Sequence, residues 1–370
     1  MNSKTIKFFL LLLLGVLFTL SNIYAEGGDK GGNSNTLEKP GSPIRAYMNI
    51  NFISTIIKNT GITDINAGQD ASGLIYPKGS GKTAVYQSGF LWAAQIDTGQ
   101  TNLHIGGTVY REGTQSGWIN PDGTVKSEDD PDVRIWRVRP DVYPGGPSVD
   151  LAPEAQDEVK TEADVRAQYE TDWVEWPANV GAPYDDVDGD GSYDPTIDVP
   201  GVPGANQTIW FVANDQAASR TSFMYGTEPM GMEMQATMWG YAQTGALGNM
   251  FFRRYLLINK TDILGDPKSF DSMYVSMWSD PDVGDSGDDY AGCDTVLSVS
   301  YAYNGKGQDA VYGGTCPALG FDFFQGPLVE GIAGEDRNKN GIDDASDYAI
   351  FKNERIGPGF INLPMTAAYY

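Results

Sequence analysis

The sequence predicts a mainly β protein of antiparallel, sandwich-like architecture, with long acidic loops and one helix near residues 153–170. Three observations carry that prediction. Short apolar segments rich in Tyr, Trp, Val and Thr recur between turn signals from Ala46 onward, as strands do. The 45 glycines and 21 prolines, with no alternation of strands and long helices, argue against a doubly wound α/β fold. Apolar residues make up 41% of the chain, with 8 Trp, 20 Tyr and 15 Phe, so a core forms in spite of a net charge of −24. The length of 370 residues accommodates one large β domain or two subdomains.

Taken in order, the chain opens with Lys4 and Lys7 ahead of a thirteen-residue apolar run, Phe8 to Leu20, and a short polar stretch ending at Ala25. This pattern reads as a secretory signal peptide over residues 1–25, with Ile23 at the −3 position. A membrane-spanning helix needs roughly 18–20 apolar residues, and no later segment reaches that length. Residues 26–45, rich in Gly, Ser and Asn, read as a flexible linker. The β-rich domain then covers 46–370, in strand-like segments at Thr83–Ile96, Leu103–Tyr110, Arg134–Arg139, Gln207–Ala213, Met232–Gln243, Met250–Asn259, Ser272–Trp278 and Thr295–Tyr303. Within Met232–Met238 every second residue is apolar, the signature of a half-buried antiparallel strand. The turns Pro121-Asp122-Gly123 and Asn304-Gly305 supply left-handed positions between runs. Strong helix formers from Pro153 to Glu170 predict the single helix.

Charge excludes a nucleic-acid binder driven by phosphate neutralisation, since 49 acidic residues face 25 basic ones and loss of Lys4 and Lys7 takes the net charge to −26. Cys293 and Cys316 suit an oxidising compartment, where one disulfide closing that loop contributes about 3 kcal/mol on the chain-entropy account. Two separate buried thiols are the other reading. Gly79-Ser80-Gly81-Lys82-Thr83 mimics the end of a phosphate-binding loop, but the leading glycine falls on Tyr76 and a strand follows where a helix should. His104, the one histidine, sits in a strand with no Gly-x-Ser-x-Gly elbow elsewhere, and the paucity of His and Cys excludes a zinc site of usual composition.

The acidic loops carry the strongest chemistry. Calcium takes six to eight oxygens from a twelve-residue loop, with oxygen side chains at positions 1, 3 and 5, glycine at 6 and a carbonyl at 7. Asp336, Asn338, Asn340, Gly341 and Ile342 fill those places in order, and Asp344 and Asp347 stand at positions 9 and 12. A second loop repeats the start with Asp186, Asp188, Asp190, Gly191 and Ser192, and places Asp194 at position 9. Position 12 there is Ile197, and the next carboxylate, Asp198, falls one place late. The expected cofactor is therefore Ca2+. Asp280–Asp289 and Asp64–Asp70 are weaker acidic clusters without recognised spacing.

No catalytic residue is assigned, and enzymatic activity is the weaker expectation. Acidic pairs are too numerous for sequence to say which flanks a sugar bond. Trp173 and Trp176, between the helix and the first loop, are the aromatic pair expected to be partly exposed as a ligand surface; Trp210, Trp239 and Trp278 are read as core or as sugar platforms.

Several stretches resemble the N-terminal portion of large secreted, mostly uncharacterised proteins that carry a C-terminal type IX secretion sorting domain. They are Tyr76-Pro77-Lys78-Gly79, Gly106 through Arg111, Trp176-Pro177 through Tyr184, Gln207 through Trp210, Trp239 through Ala242, and Trp278 through Asp282 with Gly292 through Thr295. The resemblance covers most of Ala46 to Tyr370 and implies export across both membranes, with no catalytic residues to carry over. The chain departs from the pattern in lacking the sorting domain; it stops in strand-like sequence at Pro364–Tyr370, which reads as a truncated frame. The expectation is a secreted or cell-surface, calcium-binding β-rich protein with a structural or adhesive role, with polysaccharide or other surface proteins as partners. The alternative is a calcium-dependent carbohydrate-binding module or glycoside hydrolase-like enzyme.

Overall fold

The computed structural model describes residues 43–97 and 103–369. The signal peptide and all but the end of the linker lie outside the described residues. Among the described residues no helix is long and apolar enough to cross a membrane.

The principal strands in chain order are β1 (Arg45–Met48), β2 (Thr55–Lys58), β3 (Leu74–Ile75), β4 (Thr83–Ile96), β5 (Leu103–Gly107), β6 (Gln115–Ser116), β7 (Trp136–Val138), β8 (Gln207–Asn214), β9 (Met232–Gly240), β10 (Phe251–Asn259), β11 (Phe270–Pro281), β12 (Asp289–Asp294), β13 (Val299–Asn304) and β14 (Ala318–Asp322). All of their pairings are antiparallel. The first large sheet runs β11-β4-β3 with β5 also bonded to β4; the second runs β10-β9-β8-β6 with β7 also bonded to β8; a third runs β12-β13-β14. The fold is mainly β, as expected.

Period-two alternation explains how the two large sheets meet. Phe90, Trp92, Ala94 and Ile96 of β4 face Ile209, Phe211 and Ala213 of β8 and Met232, Met234, Ala236 and Met238 of β9 across one shared core. Phe90 stacks on Tyr255 of β10 with centroids 4.3 Å apart, a contact between the sheets. The expected alternation of β9 is present, but its second face is not solvated. Glu233, Gln235 and Thr237 are buried. That face is covered by chain that sequence periodicity does not reveal: Glu233 Oε2 accepts Ile119 N at 2.7 Å, and Gln235 Nε2 donates to Val180 O at 2.9 Å. A second apolar cluster of Trp136, Val138, Trp176, Trp210 and Val212 covers the same side of the sheet.

The single helix predicted over 153–170 is two. Helix α1 (Ala152–Glu158) ends where Val159 turns left-handed at φ 56°, and α2 (Glu162–Val174) starts afresh from a capping box between Thr161 and Asp164. A third helix, α3 (Ala218–Tyr225), was not expected. Buried ion pairs fasten α1 and α2 to the second sheet: Arg137 with Glu158, Arg139 with Glu154 and Arg134 with Asp172. Tyr169 Oη donates to Glu154 Oε1 at 2.9 Å and accepts from Gln207 Nε2 at 2.8 Å.

The strand expected over Thr295–Tyr303 begins later. Thr295–Ser298 is a turn, held by Asp294 Oδ1 accepting Val296 N and Leu297 N, and only Val299–Asn304 is strand. This hairpin also corrects the disulfide. Cys293 and Cys316 are free thiols. Cys293 sits on β12 opposite Ser300, whereas Cys316 precedes β14, whose Ala318 faces Tyr303 at the other end of β13. Two strand spacings of about 4.8 Å separate the outer strands, beyond the roughly 7 Å Cα separation that a disulfide spans.

Candidate metal loops

Residues 186–198 leave the fold through an antiparallel pair, Tyr184 opposite Pro200 and Asp185 opposite Val199, so the loop ends are tied at its base. Beneath it lie Trp173 and Trp176, only 6% and 4% exposed, which corrects their expected role as a ligand surface. Each indole N–H is spent on backbone, one in the loop and one in the strand entry that precedes it. Trp173 Nε1 donates to Pro195 O at 2.9 Å and Trp176 Nε1 to Pro183 O at 2.8 Å. Tyr193 returns a hydrogen bond to Trp173 O at 2.6 Å. The pair is the bed on which the loop rests.

Above that bed the aspartates form a ladder. Asp186 accepts Gly189 N through Oδ1 and Gly191 N through Oδ2, at 2.8 and 2.9 Å. Asp188 Oδ1 accepts Asp190 N at 3.3 Å, and Asp190 Oδ1 accepts Ser192 N at 2.7 Å. One oxygen from each of Asp186, Asp188 and Asp190 lies within 4.8 Å of the others. A carboxylate oxygen that accepts one N–H still has a lone pair to offer. The Asp188 carboxyl stands above its ordinary value: the Asp190 N–H pulls it down, but desolvation and the charges of Asp190, Asp198 and Asp186 outweigh that pull. Asp194 points elsewhere, its Oδ1 accepting the N–H and hydroxyl of Thr196, which hold it below its ordinary value. Asp198, one place late in the count, is buried and accepts Val187 N at 3.0 Å and Asp194 N at 2.7 Å. It clamps the two limbs of the loop.

Residues 336–347 repeat this construction 150 positions later. Gly341 N donates to Asp336 Oδ2 at 3.0 Å, Asn340 N to Asn338 Oδ1 at 3.3 Å, and Ile342 N to Asn340 Oδ1 at 2.8 Å, the same three rungs by loop position. Positions 4 and 6 are left-handed in both loops, Gly189 and Gly191 at φ 74° and 79°, Lys339 and Gly341 at φ 59° and 85°. Glycine at position 6 adopts that backbone without strain. Asp347 gathers the amides of Asn338 and Asn340, each Nδ2 at 2.7 Å from its Oδ2. The amide of Asn338, led by those bonds, holds the Asp347 carboxyl below its ordinary value.

Asp344, expected at ligand position 9, is engaged by the chain itself. It is fully buried and takes Arg337 N on Oδ1 at 3.0 Å and Arg337 Nε on Oδ2 at 2.6 Å. Burial alone would raise its carboxyl, but the Arg337 contacts win and hold it below the ordinary value. Its bond to the position-2 N–H is the one that Asp198 makes to Val187 in the first loop. Both residues are therefore clamps, a role that loop spacing did not disclose.

Of the weaker clusters, one has an aspartate tied to an arginine and the other gains a member. Asp64 is buried and bonded bidentately by Arg253 Nη2, at 2.8 and 2.6 Å. Asp309, distant in sequence, joins the 280–289 region by accepting Asp285 N at 2.8 Å. His104 lies in β5 with Nδ1 3.2 Å from Glu228 O. No family model matches the chain, and neither a curated protein nor a solved structure does.

Proposed function

We propose that this chain is an exported, calcium-binding β protein of the cell surface or extracellular matrix, with a structural or adhesive role. The observation that carries the calcium reading is the repetition of one backbone ladder, with the same two left-handed positions, in two loops of different sequence. Oxygen side chains at positions 1, 3 and 5 of that ladder suit a hard cation. Export is supported by the apolar run behind Lys4 and Lys7 and by the resemblance to type IX secreted proteins. A cation bound to the folded loops stabilises the chain by RT ln(1 + [L]/Kd), about 2.7 kcal/mol per site at one hundred times Kd.

Thermal unfolding with millimolar calcium and with chelator, beside a count of bound metal, tests this reading. Two ions per chain and a rise of several degrees are expected. Asp186→Ala and Asp336→Ala should each remove one ion and part of the rise. An unchanged melting curve with no bound metal refutes it.

A further inference from the structure

We infer that the outer face of the first large sheet, at Trp278, Tyr110 and Tyr86, is a binding platform for a neutral polysaccharide strand. On β11, Val275 and Met277 pack on the core, so alternation sends Trp278 and Asp280 to the other face. Gly89 stands opposite Trp278 in the β4–β11 register. A Cβ there would come within 2.4 Å of Thr108 O. Glycine thus lets the chain after β5 cross the face and bring Tyr110 edge-on to Trp278, centroids 4.5 Å apart, with Tyr86 6.4 Å beyond.

The rings are held in place by carboxylates. Tyr110 Oη donates to Asp280 Oδ2 at 2.9 Å and Tyr86 Oη to Asp70 Oδ1 at 2.6 Å. Burial first, then Asp70, pushes the Tyr86 hydroxyl up to about 12, so it remains a donor at every physiological pH. Tyr110 is nonetheless 57% exposed. Asp282, one step along, takes Ser72 Oγ at 3.4 Å.

This combination selects its occupant. Pyranose rings present apolar C–H faces and a rim of hydroxyls, which fixed aromatic rings beside open carboxylate oxygens complement. Among the described residues none of Asp70, Asp280 and Asp282 has a basic partner, so the platform repels uronate, sulfate and phosphate polymers. The site is an open surface, suited to a length of chain.

Titration of the full exported chain with neutral hexasaccharides of glucose, xylose and mannose, beside oligogalacturonate, tests the inference by calorimetry and tryptophan emission. One neutral series is expected to bind and to shift the emission. Trp278→Ala and Tyr110→Ala should each weaken binding by about 10-fold, as loss of one aromatic contact of roughly 1.4 kcal/mol does. Tyr110→Phe and Trp278→Phe, which keep a ring and spare the fold, should retain most of the affinity. Absence of neutral-glycan binding, preference for oligogalacturonate, or equal affinity in the alanine variants overturns the proposal.

Discussion

The two loops share a backbone but not a way of stabilising it. Residues 186–198 hold five aspartates and no basic side chain, whereas 336–347 hold four aspartates with Arg337 and Lys339. The first loop leaves its charges facing one another and leans on the buried indoles of Trp173 and Trp176. The second neutralises its clamp with Arg337 and satisfies Asp347 with two asparagine amides. The facing charges set Asp188 above its ordinary value, whereas Asp344 and Asp347 stand below, as does Asp194, which the first loop gives to Thr196. The first thus leaves its carboxylates facing one another, while the second meets its own with an arginine and two amides.

The largest test of that contrast removes the bed. Trp173→Ala deletes a buried indole and the hydrogen bond to Pro195 O, at a cost of about 3–5 kcal/mol. Urea unfolding should show that loss, and calcium titration should show one ion fewer, with the 336–347 loop still occupied. Equal loss of both ions breaks the comparison, because the indole's hydrogen bond and ring contact among the described residues go to Pro195 and Tyr143.

Acid should separate the loops next. A carboxyl whose folded pKa is raised costs the folded chain stability when ionised, so without calcium the 186–198 loop should lose its repulsion and tighten at Asp188 as pH falls through a pKa above the ordinary carboxyl value. Lowered carboxyls contribute stability that is present above their unfolded value and is lost as pH falls through the folded one. The 336–347 loop should therefore loosen only as pH falls below the ordinary carboxyl value. Carboxyl-carbon shifts of Asp188 and Asp347 during an acid titration of the chelated protein measure both events. A common midpoint would mean that the neighbouring charges and amides do not set these values.

What the sequence disclosed follows the same physics. Thr83–Ile96 is legible to the residue, because a long strand of one sheet carries its own period. The loop ladders are legible too, since positions 1, 3, 5 and 6 act within a few residues of one another. What the sequence hides is which backbone group a side chain will engage, even one only 4 to 22 residues away. Trp173 and Trp176 looked exposed because nothing local announces that the loop folds back over them. Asp344 and Asp198, expected as ligands, also accept the position-2 N–H, which spacing does not show. Trp278 was offered as core or sugar platform, but its grouping with Tyr110 and Tyr86 was not legible, since the rings come from positions 86, 110 and 278 and meet only through the register at Gly89.

The subtlest test converts the second loop into the first. Asn338→Asp with Asn340→Asp keeps the position-3 and position-5 oxygens that accept Asn340 N and Ile342 N, so the ladder survives. What disappears is the pair of amide donors to Asp347, replaced by two carboxylates that repel it. In chelator the variant should melt lower than the parent, because Asp347 has lost the bonds that hold its carboxyl down. In calcium the order should narrow or reverse, since each added carboxylate strengthens a hard-cation site. The difference between the two melting temperatures, calcium minus chelator, is therefore expected to grow in the variant. Were it to stay constant while the chelated form is destabilised, the second ladder would be a hydrogen-bonded turn that binds no ion, and the calcium reading would rest on residues 186–198 alone.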